Sequence, residues 1–395
     1  MNIIDWILYI PLVFCVCYLL LYAIASKFYR APQYPEARTL RRIVVLFPAY
    51  KEDRVIVASI QSFLEQDYPK ELYEIIVISD QMRPETNDAL AALPIRLLMA
   101  NYKESSKAKA LAMAMDSIDT NAFDIVVIMD ADNMTTPDFL STINRVFDSG
   151  IKSVQAHRTG KNLNTDISVL DSASEEINNG FFRSGHNAVG LSAGLSGSGM
   201  AFEAEWFHQN VKYLQTAGED KELEAMLLQQ RIYIDYLDDV IVLDEKVQGE
   251  GAYYNQRRRW IAAQFHALGS ALRNLPGAIF TGNYDYVDKL VQWCLPPRML
   301  LIGLVPLWAV ATTFLDPWGS IKWWIALVLL LFALAMALPD EQTDAKLGRA
   351  LRRVPALALL TAANLFRLGG TRDRFIHTRH TGASDAAPEK TDTNP

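Results

Sequence analysis

The most informative stretch of this sequence is residues 123–133, where two carboxylates one residue apart follow a run of aliphatic residues. The run, Ile125-Val-Val-Ile-Met129, predicts a buried parallel strand that ends at Asp130. Because side chains alternate along a strand, Asp130 and Asp132 are expected to point the same way. The next residues, Thr136-Pro-Asp138, are typical of the N-cap and first turn of a helix. Two acids leaving a strand end predict a bound cation.

Acidic residues also follow two earlier predicted strands. The residue pattern predicts strands over 42–48, 74–80 and 95–99 and helices over 55–64 and 105–115, the alternation of a parallel α/β layer. Ligands of such layers bind outside the carboxyl ends of the strands, where Glu52 and Asp80 join Asp130 and Asp132. Each acid alone is typical of a cap or a turn. Together they predict one crevice that needs a cation or a basic group.

Basic residues could supply part of that positive charge. Lys107 and Lys109 lie on the predicted helix 105–115, and a solvated basic face is the alternative. Farther along, the segment 256–260 (Gln-Arg-Arg-Arg-Trp) could anchor the protein at a membrane surface. Alternatively, Arg257 and Arg259 could neutralise a diphosphate while Trp260 forms a flat apolar wall.

Two more segments in the second half bear on the crevice. The loop Gly194–Phe202 is rich in glycine, but its spacing is not that of a dinucleotide fingerprint. Close approach to a ligand and a plain turn both remain open for it. Gly218-Glu-Asp220 opens a predicted helix, where the helix dipole favours acids in any case. Asp220 therefore has a chemical role only if it faces the crevice.

Composition narrows the class of protein. The chain has 395 residues, half of them hydrophobic, and a net charge of −7, so it can bury a large core and lacks the basic footprint of a nucleic-acid binder. Its three cysteines show neither a disulfide framework nor the Cys/His spacing of a metal site. The soluble part is therefore expected to face a reducing compartment.

Three apolar runs predict membrane crossings. Residues 3–25 carry one charge and precede a basic stretch, which predicts an external N-terminus and a retained anchor. The alternative, a signal peptide cleaved near Ala25, lacks a positive residue before the apolar run. Residues 299–338 predict two antiparallel crossings, preceded by an interfacial segment over 271–297. Residues 345–395 are expected to form a cytoplasmic interfacial helix (354–368) and a tail.

The ordered motifs identify a family resemblance. They are Pro48-Ala-Tyr-Lys-Glu52, Ser79-Asp80, Lys107, Asp130-Ala-Asp132, Gly218-Glu-Asp220 and Gln256-Arg-Arg-Arg-Trp260. In that order and membrane context, the chain resembles the family 2 membrane glycosyltransferases, the group of cellulose, hyaluronan and poly-N-acetylglucosamine synthases. The resemblance covers roughly residues 40–270, and Asp-x-Asp, Glu-Asp and Gln-x-x-Arg-Trp together are far more specific than Asp-x-Asp alone.

The resemblance implies a GT-A (Rossmann-like) α/β domain, placed between transmembrane helices, that binds a UDP-sugar on the cytoplasmic side of a bacterial plasma membrane. Asp80 would contact the uracil or ribose, and Glu52 and Lys107 would lie near the nucleotide. Asp130 and Asp132 would hold the diphosphate, Asp132 through Mg²⁺ or Mn²⁺. The resemblance also implies that Asp220 is the general base and that the product is inverted to a β-linkage. The remaining motif residues would brace the pyrophosphate and shape the acceptor side: Gln256, Arg257, Arg259 and Trp260.

The sequence departs from the family at several points. Lys51 and Ala112 stand where asparagine is usual, and only two apolar runs follow the catalytic region, which argues against a polymer channel built from one chain. The first hypothesis, which rests on family analogy, is a polysaccharide synthase that adds sugars repeatedly to a β-linked chain, and an export partner protein is left open for it. The alternative is transfer of one sugar to a membrane lipid, as in the ceramide glucosyltransferases. A membrane-tethered nucleotide sensor without turnover would require Asp220 to be idle.

Overall fold

The centre of the protein is one eight-stranded β-sheet, seen in a computed structural model that describes residues 3–216 and 218–365. The strands lie in the spatial order β3-β2-β1-β4-β7-β6-β8-β5. Their bounds are β1 Ile43–Tyr50, β2 Tyr73–Asp80, β3 Arg96–Ala100, β4 Ile125–Ile128, β5 Met134–Thr135, β6 Ser153–Gly160, β7 Met200–Glu203 and β8 Asp235–Asp244. Strands β3, β2, β1 and β4 are parallel, and β7 runs antiparallel to both β4 and β6.

Helices cover both faces of the sheet, which explains why its central strands are apolar on both sides. Along β1, Val44 and Leu46 enter one hydrophobic core, whereas Ile43, Val45 and Phe47 enter the other. The helices are α1 Ile3–Ser26, α2 Ile56–Phe63, α3 Pro84–Ala91, α4 Lys107–Asp116, α5 Phe139–Asp148, α6 Asp166–Asn179, α7 Gly185–Ala188, α8 Ala204–Val211, α9 Glu219–Gln229, α10 Glu250–Ala271, α11 Leu275–Phe280, α12 Tyr284–Cys294, α13 Arg298–Leu315, α14 Pro317–Ala337, α15 Ala345–Ala350 and α16 Val354–Leu365.

Short helical segments connect several of these elements. A π-helical stretch, Gly180–Ser184, joins α6 to α7. The 3₁₀ segments are Lys70–Leu72, Thr120–Ala122, Leu272–Asn274, Asp340–Gln342 and Leu351–Arg353.

Three helices, α1, α13 and α14, are long and apolar enough to cross a membrane by length and composition. They share one apolar core, which includes Leu19, Leu301 and Leu330. A polar cluster closes the bundle at the start of α1, where Asp5 accepts hydrogen bonds from the indoles of Trp308 (3.1 Å) and Trp323 (2.8 Å). The Lys322 ammonium pairs with the same carboxylate. Burial of this carboxylate is thereby offset by three donors.

The structure corrects two predictions around the acidic pair. Strand β4 ends at Ile128, two residues before Asp130. The next helix, α5, begins at Phe139 with Asp138 as N-cap, so Thr136 is not the cap. The reason is long-range pairing: Met134 and Thr135 form β5 against β8, which takes these residues out of the turn that the local pattern suggests.

The segment 271–297 contains α11 and α12, and Tyr286, Leu290 and Trp293 of α12 are buried in the core that covers one face of the sheet. Helix α16 begins at Val354, as the sequence predicts, and its Asn364 side chain donates to the Tyr254 carbonyl on α10 (3.2 Å). The predicted tail, including residues 366–395, lies outside the described residues. The interfacial character of 271–297 and 345–365 stays a prediction.

Candidate active site

All ten residues predicted to form the site line one cavity of about 750 Å³ beyond the carboxyl ends of β1, β2 and β4. They are Glu52, Asp80, Lys107, Asp130, Asp132, Asp220, Gln256, Arg257, Arg259 and Trp260. The structure places the acids of separate strand ends at one cavity, because the parallel register of β1, β2 and β4 brings these ends to one edge.

The edge formed by β1 and β2 places Glu52 and Asp80 at the cavity. The Lys51 N–H donates to the Asp80 carbonyl (3.1 Å), which ties the end of β1 to the end of β2. Lys51 has φ +58°, a left-handed conformation that asparagine adopts more readily than lysine. The Asp80 carboxyl is buried, and burial raises its pKa. Its Oδ1 has no hydrogen-bond partner within residues 3–216 and 218–365.

Asp130 and Asp132 lie in a turn after β4 and are held by different partners, so the expected alternation of a strand does not describe them. The Asp130 N–H donates to Asn133 Oδ1 (2.8 Å), and its carboxylate pairs with the Lys107 ammonium. Asp132 Oδ2 accepts from the Glu245 N–H (2.6 Å) at the end of β8. Asp132 is nearly fully buried, whereas the Asp130 side chain keeps about a third of its surface exposed.

Lys107 is the basic residue that meets these acids, because it begins α4 at the cavity edge. Its Nζ donates to the Gly197 carbonyl (2.7 Å) and lies 3.5 Å from Glu219 Oε1. Burial alone would lower the Lys107 pKa, but the charges of Asp130 and Glu219 outweigh it and raise the pKa. The other candidate, Lys109, instead donates to the Glu104 carbonyl (2.9 Å) and does not line the cavity.

The glycine-rich loop contributes its backbone at this point. Gly197 has φ +89°, where a side chain would be strained, and its carbonyl faces the Lys107 ammonium. For this loop, the sequence allowed either a plain turn or a close approach of the backbone to a ligand. The structure shows a turn whose backbone fixes a cavity lysine.

Helix α9 brings Glu219 and Asp220 to the same cavity, which meets the condition set for Asp220. Asp220 is half-buried, and its Oδ1 accepts from the Lys221 N–H (2.8 Å) in the first turn. Glu219 is buried; burial and the Asp220 charge raise its pKa to about 7, against the opposing charge of Lys107. Two acids in different environments, Glu219 buried and Asp220 half-buried, thus stand side by side.

Helix α10 presents Tyr253, Gln256, Arg257 and Trp260 along one face, at the spacing of helical turns. Arg257 donates to Asp171 (2.6 Å), and its guanidinium lies over the rings of Tyr253 (4.9 Å) and Trp260 (4.6 Å). Arg257 is therefore held by α6, and Trp260 stacks on it as a wall. Gln256 Oε1 is buried with no hydrogen-bond partner in the described part of the chain.

Arg259 is placed among the acids of the cavity. Burial lowers its pKa, and the charges of Glu219, Asp130 and Asp220 oppose that effect. The guanidinium of Arg259 therefore lies within the electrostatic influence of the Asp130 turn and of the first turn of α9. This position suits the stabilisation of an anionic ligand.

Sequence reasoning missed a buried charge network, most of whose members line the cavity. Arg158 Nη2 donates to Asp244 (2.5 Å), whose carboxylate also pairs with Lys246 (2.9 Å). Arg183 pairs with Glu175 of α6 (2.9 Å). Arg158 and Asp244 end or nearly end strands β6 and β8, so the strand-end argument used for Asp80 applies to them as well. Glu175 had no such signal, because α6 was not predicted.

The donor set can accept a metal ion only with help from a ligand. In residues 3–216 and 218–365 no group of three or more His, Cys, Asp or Glu side chains is arranged to hold one. Two aspartates at one turn, Asp130 and Asp132, nevertheless fit a hard divalent cation that takes its other oxygens from phosphates and water.

These features define an enzyme crevice for an anionic substrate, and the family comparison agrees. Residues 41–263, more than half of the chain, match the family described as glycosyltransferase like family 2. The chain belongs to this family and is a glycosyltransferase.

Among curated proteins, the chain is similar to the probable glycosyltransferase YdaM of Bacillus subtilis (strain 168), with 28% identity over 101 residues. The match covers 24% of this chain and 24% of YdaM, so the chain spans about a quarter of that relative's length.

Among solved structures, the fold is similar to the mannosyltransferase PcManGT from Pyrobaculum calidifontis in complex with GDP-Man and Mn²⁺. The TM-score is 0.54 at 18% identity, covering 90% of this chain and 99% of that one. Glucosyl-3-phosphoglycerate synthase from Mycobacterium tuberculosis, in complex with Mn²⁺, UDP-Glc and phosphoglyceric acid, has a TM-score of 0.42 at 18% identity over 60% and 85% of the chains. The first similarity establishes the fold alone, a GT-A-like α/β glycosyltransferase fold.

Proposed function

We propose that the protein is an inverting glycosyltransferase that moves a sugar from a UDP-sugar to an acceptor supplied by a membrane. One observation carries this proposal: a single cavity joins the acidic and basic groups to aliphatic side chains of α13 and α14, such as Leu301 and Leu334. A nucleotide-sugar needs the first set, and an acceptor arriving from a bilayer would contact the second.

The donor would bind along the edge of β1, β2 and β4. Asp80 Oδ1, which has no hydrogen-bond partner within the described residues, suits a donor group of the base or ribose. The diphosphate would lie between the Asp130–Asp132 turn and the basic pair Lys107 and Arg259. Asp132, with Asp130, would hold Mg²⁺ or Mn²⁺, which offsets the charge that develops on the leaving diphosphate.

The transfer step would be a single displacement. Asp220 would accept the proton of the acceptor hydroxyl as its oxygen attacks the anomeric carbon, and the bond to the diphosphate would break on the opposite face. Lys107 and Arg259 would stabilise the departing UDP by electrostatic attraction. Attack opposite the leaving group turns an α-linked donor into a β-linked product.

The acceptor lining favours a membrane lipid over a growing polysaccharide. A polysaccharide is rich in hydroxyls and needs many polar partners, whereas Leu301, Ile302, Leu331 and Leu338 give this side of the cavity a largely aliphatic lining that suits a lipid chain. The β-linked polysaccharide chain remains the second candidate, because the ordered motifs resemble those of the polysaccharide synthases.

The donor and the product can be identified together. We expect UDP release by the purified full-length chain in lipid nanodiscs with Mn²⁺, screened against UDP-glucose, UDP-N-acetylglucosamine, UDP-galactose and UDP-glucuronate. Release with one donor and a single organic-soluble product would support the lipid acceptor, and a ladder of large products the polysaccharide. Turnover with GDP-mannose but with no UDP-sugar would overturn the assignment of uracil to Asp80.

The three apolar helices are proposed to span the membrane, with the catalytic domain in the cytoplasm. Cys294 is exposed just before α13, and Trp318 is exposed at the α13–α14 connection, on the opposite side of the proposed membrane. In a chain with Cys15 and Cys17 changed to alanine, we expect a membrane-impermeant maleimide to label Cys294 in inverted vesicles only. After Cys294→Ala and Trp318→Cys, labelling should occur in right-side-out vesicles only. The reverse pattern would contradict the topology.

Donor affinity should depend on pH through Glu219, whose pKa is raised to about 7 by burial. Below that pH the carboxyl is neutral and leaves Lys107 to the diphosphate. Above it, the Glu219 carboxylate competes with the diphosphate for Lys107 and repels the diphosphate. The charges of Asp130 and Asp220 repel the diphosphate as well, whereas the charge of Arg259 attracts it. The affinity for an intact UDP-sugar should therefore fall a few-fold between about pH 6 and about pH 8.

Glu219→Gln removes the titrating group while keeping its size. Calorimetric titrations of this variant should show an affinity that changes little across the same pH range. An equally steep pH dependence in Glu219→Gln would assign the effect to another group.

A further inference from the structure

Arg298 lines the cavity, and none of its hydrogen-bond partners within residues 3–216 and 218–365 is a carboxylate. Its Nη2 donates to the carbonyl and the hydroxyl of Ser174, both at 2.9 Å, and its Nη1 has no partner within the described residues. By contrast, Arg158, Arg183 and Arg257 each have a carboxylate oxygen within 2.9 Å. A guanidinium withdrawn from water without an anion is unfavourable unless a ligand supplies one.

The position of Arg298 lies between the two halves of the cavity. It is the first residue of α13, so the next turn of that helix places Leu301 and Ile302 on the aliphatic wall. On its other side, α6 connects Arg298 through Ser174 to Glu175 and Asp171, and Asp171 holds Arg257 beneath Trp260. Arg298 therefore connects the aliphatic wall of α13 to the charged residues of α6 within the same cavity that Asp220 lines.

We propose that the acceptor is a membrane lipid with an anionic phosphate group bound at Arg298 and a free hydroxyl beyond the phosphate that is directed toward Asp220. The proposal rests on the proposed function and specifies its acceptor. The lipid tail lies against α13, α14 and Val354, and the phosphate pairs with a guanidinium whose nearest acid, Glu175, is hydrogen-bonded to Arg183 instead.

The reaction leaves the phosphate of the lipid unchanged. The lipid hydroxyl oxygen forms the new bond to the anomeric carbon and gives its proton to Asp220. The bond between that carbon and the UDP oxygen breaks, and UDP leaves with the electron pair. The product is an anionic glycolipid whose sugar is joined through an ordinary glycosidic bond.

The product of native membranes tests this directly. Full-length protein in nanodiscs extracted with its own membrane lipids would be incubated with Mn²⁺ and a radiolabelled UDP-sugar, and the organic-soluble label passed over an anion exchanger. We expect a retained lipid whose sugar survives mild acid. A neutral labelled lipid would overturn the phosphate, and an acid-labile sugar would show transfer to the phosphate itself. Label in a water-soluble polymer would overturn the lipid acceptor.

Variants test the assigned residue. Arg298→Gln should slow transfer at least about tenfold at limiting lipid, because a charge-assisted contact is lost, and the rate should recover at saturating lipid. Arg298→Lys keeps the positive charge, so its rate at limiting lipid should fall less than that of Arg298→Gln. The matched control is Arg349→Gln, since Arg349 is exposed beside Asp166 and does not line the cavity.

UDP binding in the presence of Mn²⁺ distinguishes a failure of the acceptor site at Arg298 from a failure of the proposed function. Wild type and Arg298→Gln should bind UDP equally. Equal lipid dependence in Arg298→Gln and Arg349→Gln, with UDP binding intact, would overturn the acceptor site alone. A wild-type protein that binds no UDP would overturn the proposed function as well.

Discussion

Asp220→Asn should reduce the rate of sugar transfer by about 10²–10⁴-fold while UDP affinity stays near that of the wild type. The reason is that asparagine keeps the size and the first-turn position of Asp220 but cannot accept the proton of the attacking hydroxyl. Asp220 lines the cavity beside Glu219, and the Lys221 N–H fixes one of its oxygens. The measurement is turnover with a radiolabelled UDP-sugar alongside UDP binding by calorimetry.

The control for this substitution is Asp239→Asn, which changes an exposed residue of β8 outside the cavity. It should leave both turnover and binding unchanged. If Asp220→Asn weakened UDP binding as much as turnover, Asp220 would belong to the donor site rather than act as the base.

Asp132→Ala should abolish the metal-dependent part of UDP binding and weaken the affinity at least about tenfold. Asp132 is nearly fully buried at the turn that faces the proposed diphosphate, and the other acid of this turn, Asp130, is paired with Lys107. Calorimetric titrations of UDP with Mn²⁺ and with EDTA would separate the metal-dependent part. Wild-type affinity should fall in EDTA, and the affinity of the variant should not change further.

Structural damage is the competing explanation, because Asp132 Oδ2 also accepts the Glu245 N–H (2.6 Å). Asp132→Asn keeps an oxygen for that hydrogen bond and should still lose metal dependence. Asp138→Ala removes an exposed acid that lies just after β5 and makes no side-chain cap hydrogen bond, so it should behave as wild type. Persistent, EDTA-sensitive UDP binding in both Asp132 variants would assign the metal to other residues.

The parallel half of the sheet could be predicted from the sequence because its signals are local. Strands such as β2 are apolar on both faces and end in a polar residue, so Asp80 marks both the strand end and the edge of the cavity. The three apolar helices were predicted within a few residues for the same reason. Helix length and composition suffice for them.

Features set by long-range contacts could not be predicted. The Asp130–Asp132 turn depends on β5 pairing with β8 and on the Glu245 N–H, more than a hundred residues away in the chain. Likewise, Lys107 could be distinguished from Lys109 only after α4 was placed against Gly197. Periodicity describes one element at a time.

The charge network of the cavity lining is also set by long-range contacts that the sequence pattern does not show. Asp171, Ser174 and Glu175 lie on one face of α6, at spacings of three and four residues, but their meaning depends on Arg257, Arg298 and Arg183 from other elements. Arg158 and Asp244 could have been identified by the strand-end argument, because they lie at or near the ends of β6 and β8. That argument does not show which residues they pair with.

The most direct test of the central claim is the anomeric configuration of the product, made by wild-type protein from an α-linked UDP-sugar and determined by NMR. A single displacement with Asp220 as base predicts a β-linked sugar and no labelled product from Asp220→Asn. An α-linked product would contradict this mechanism, because it requires either attack from the same face or two successive displacements.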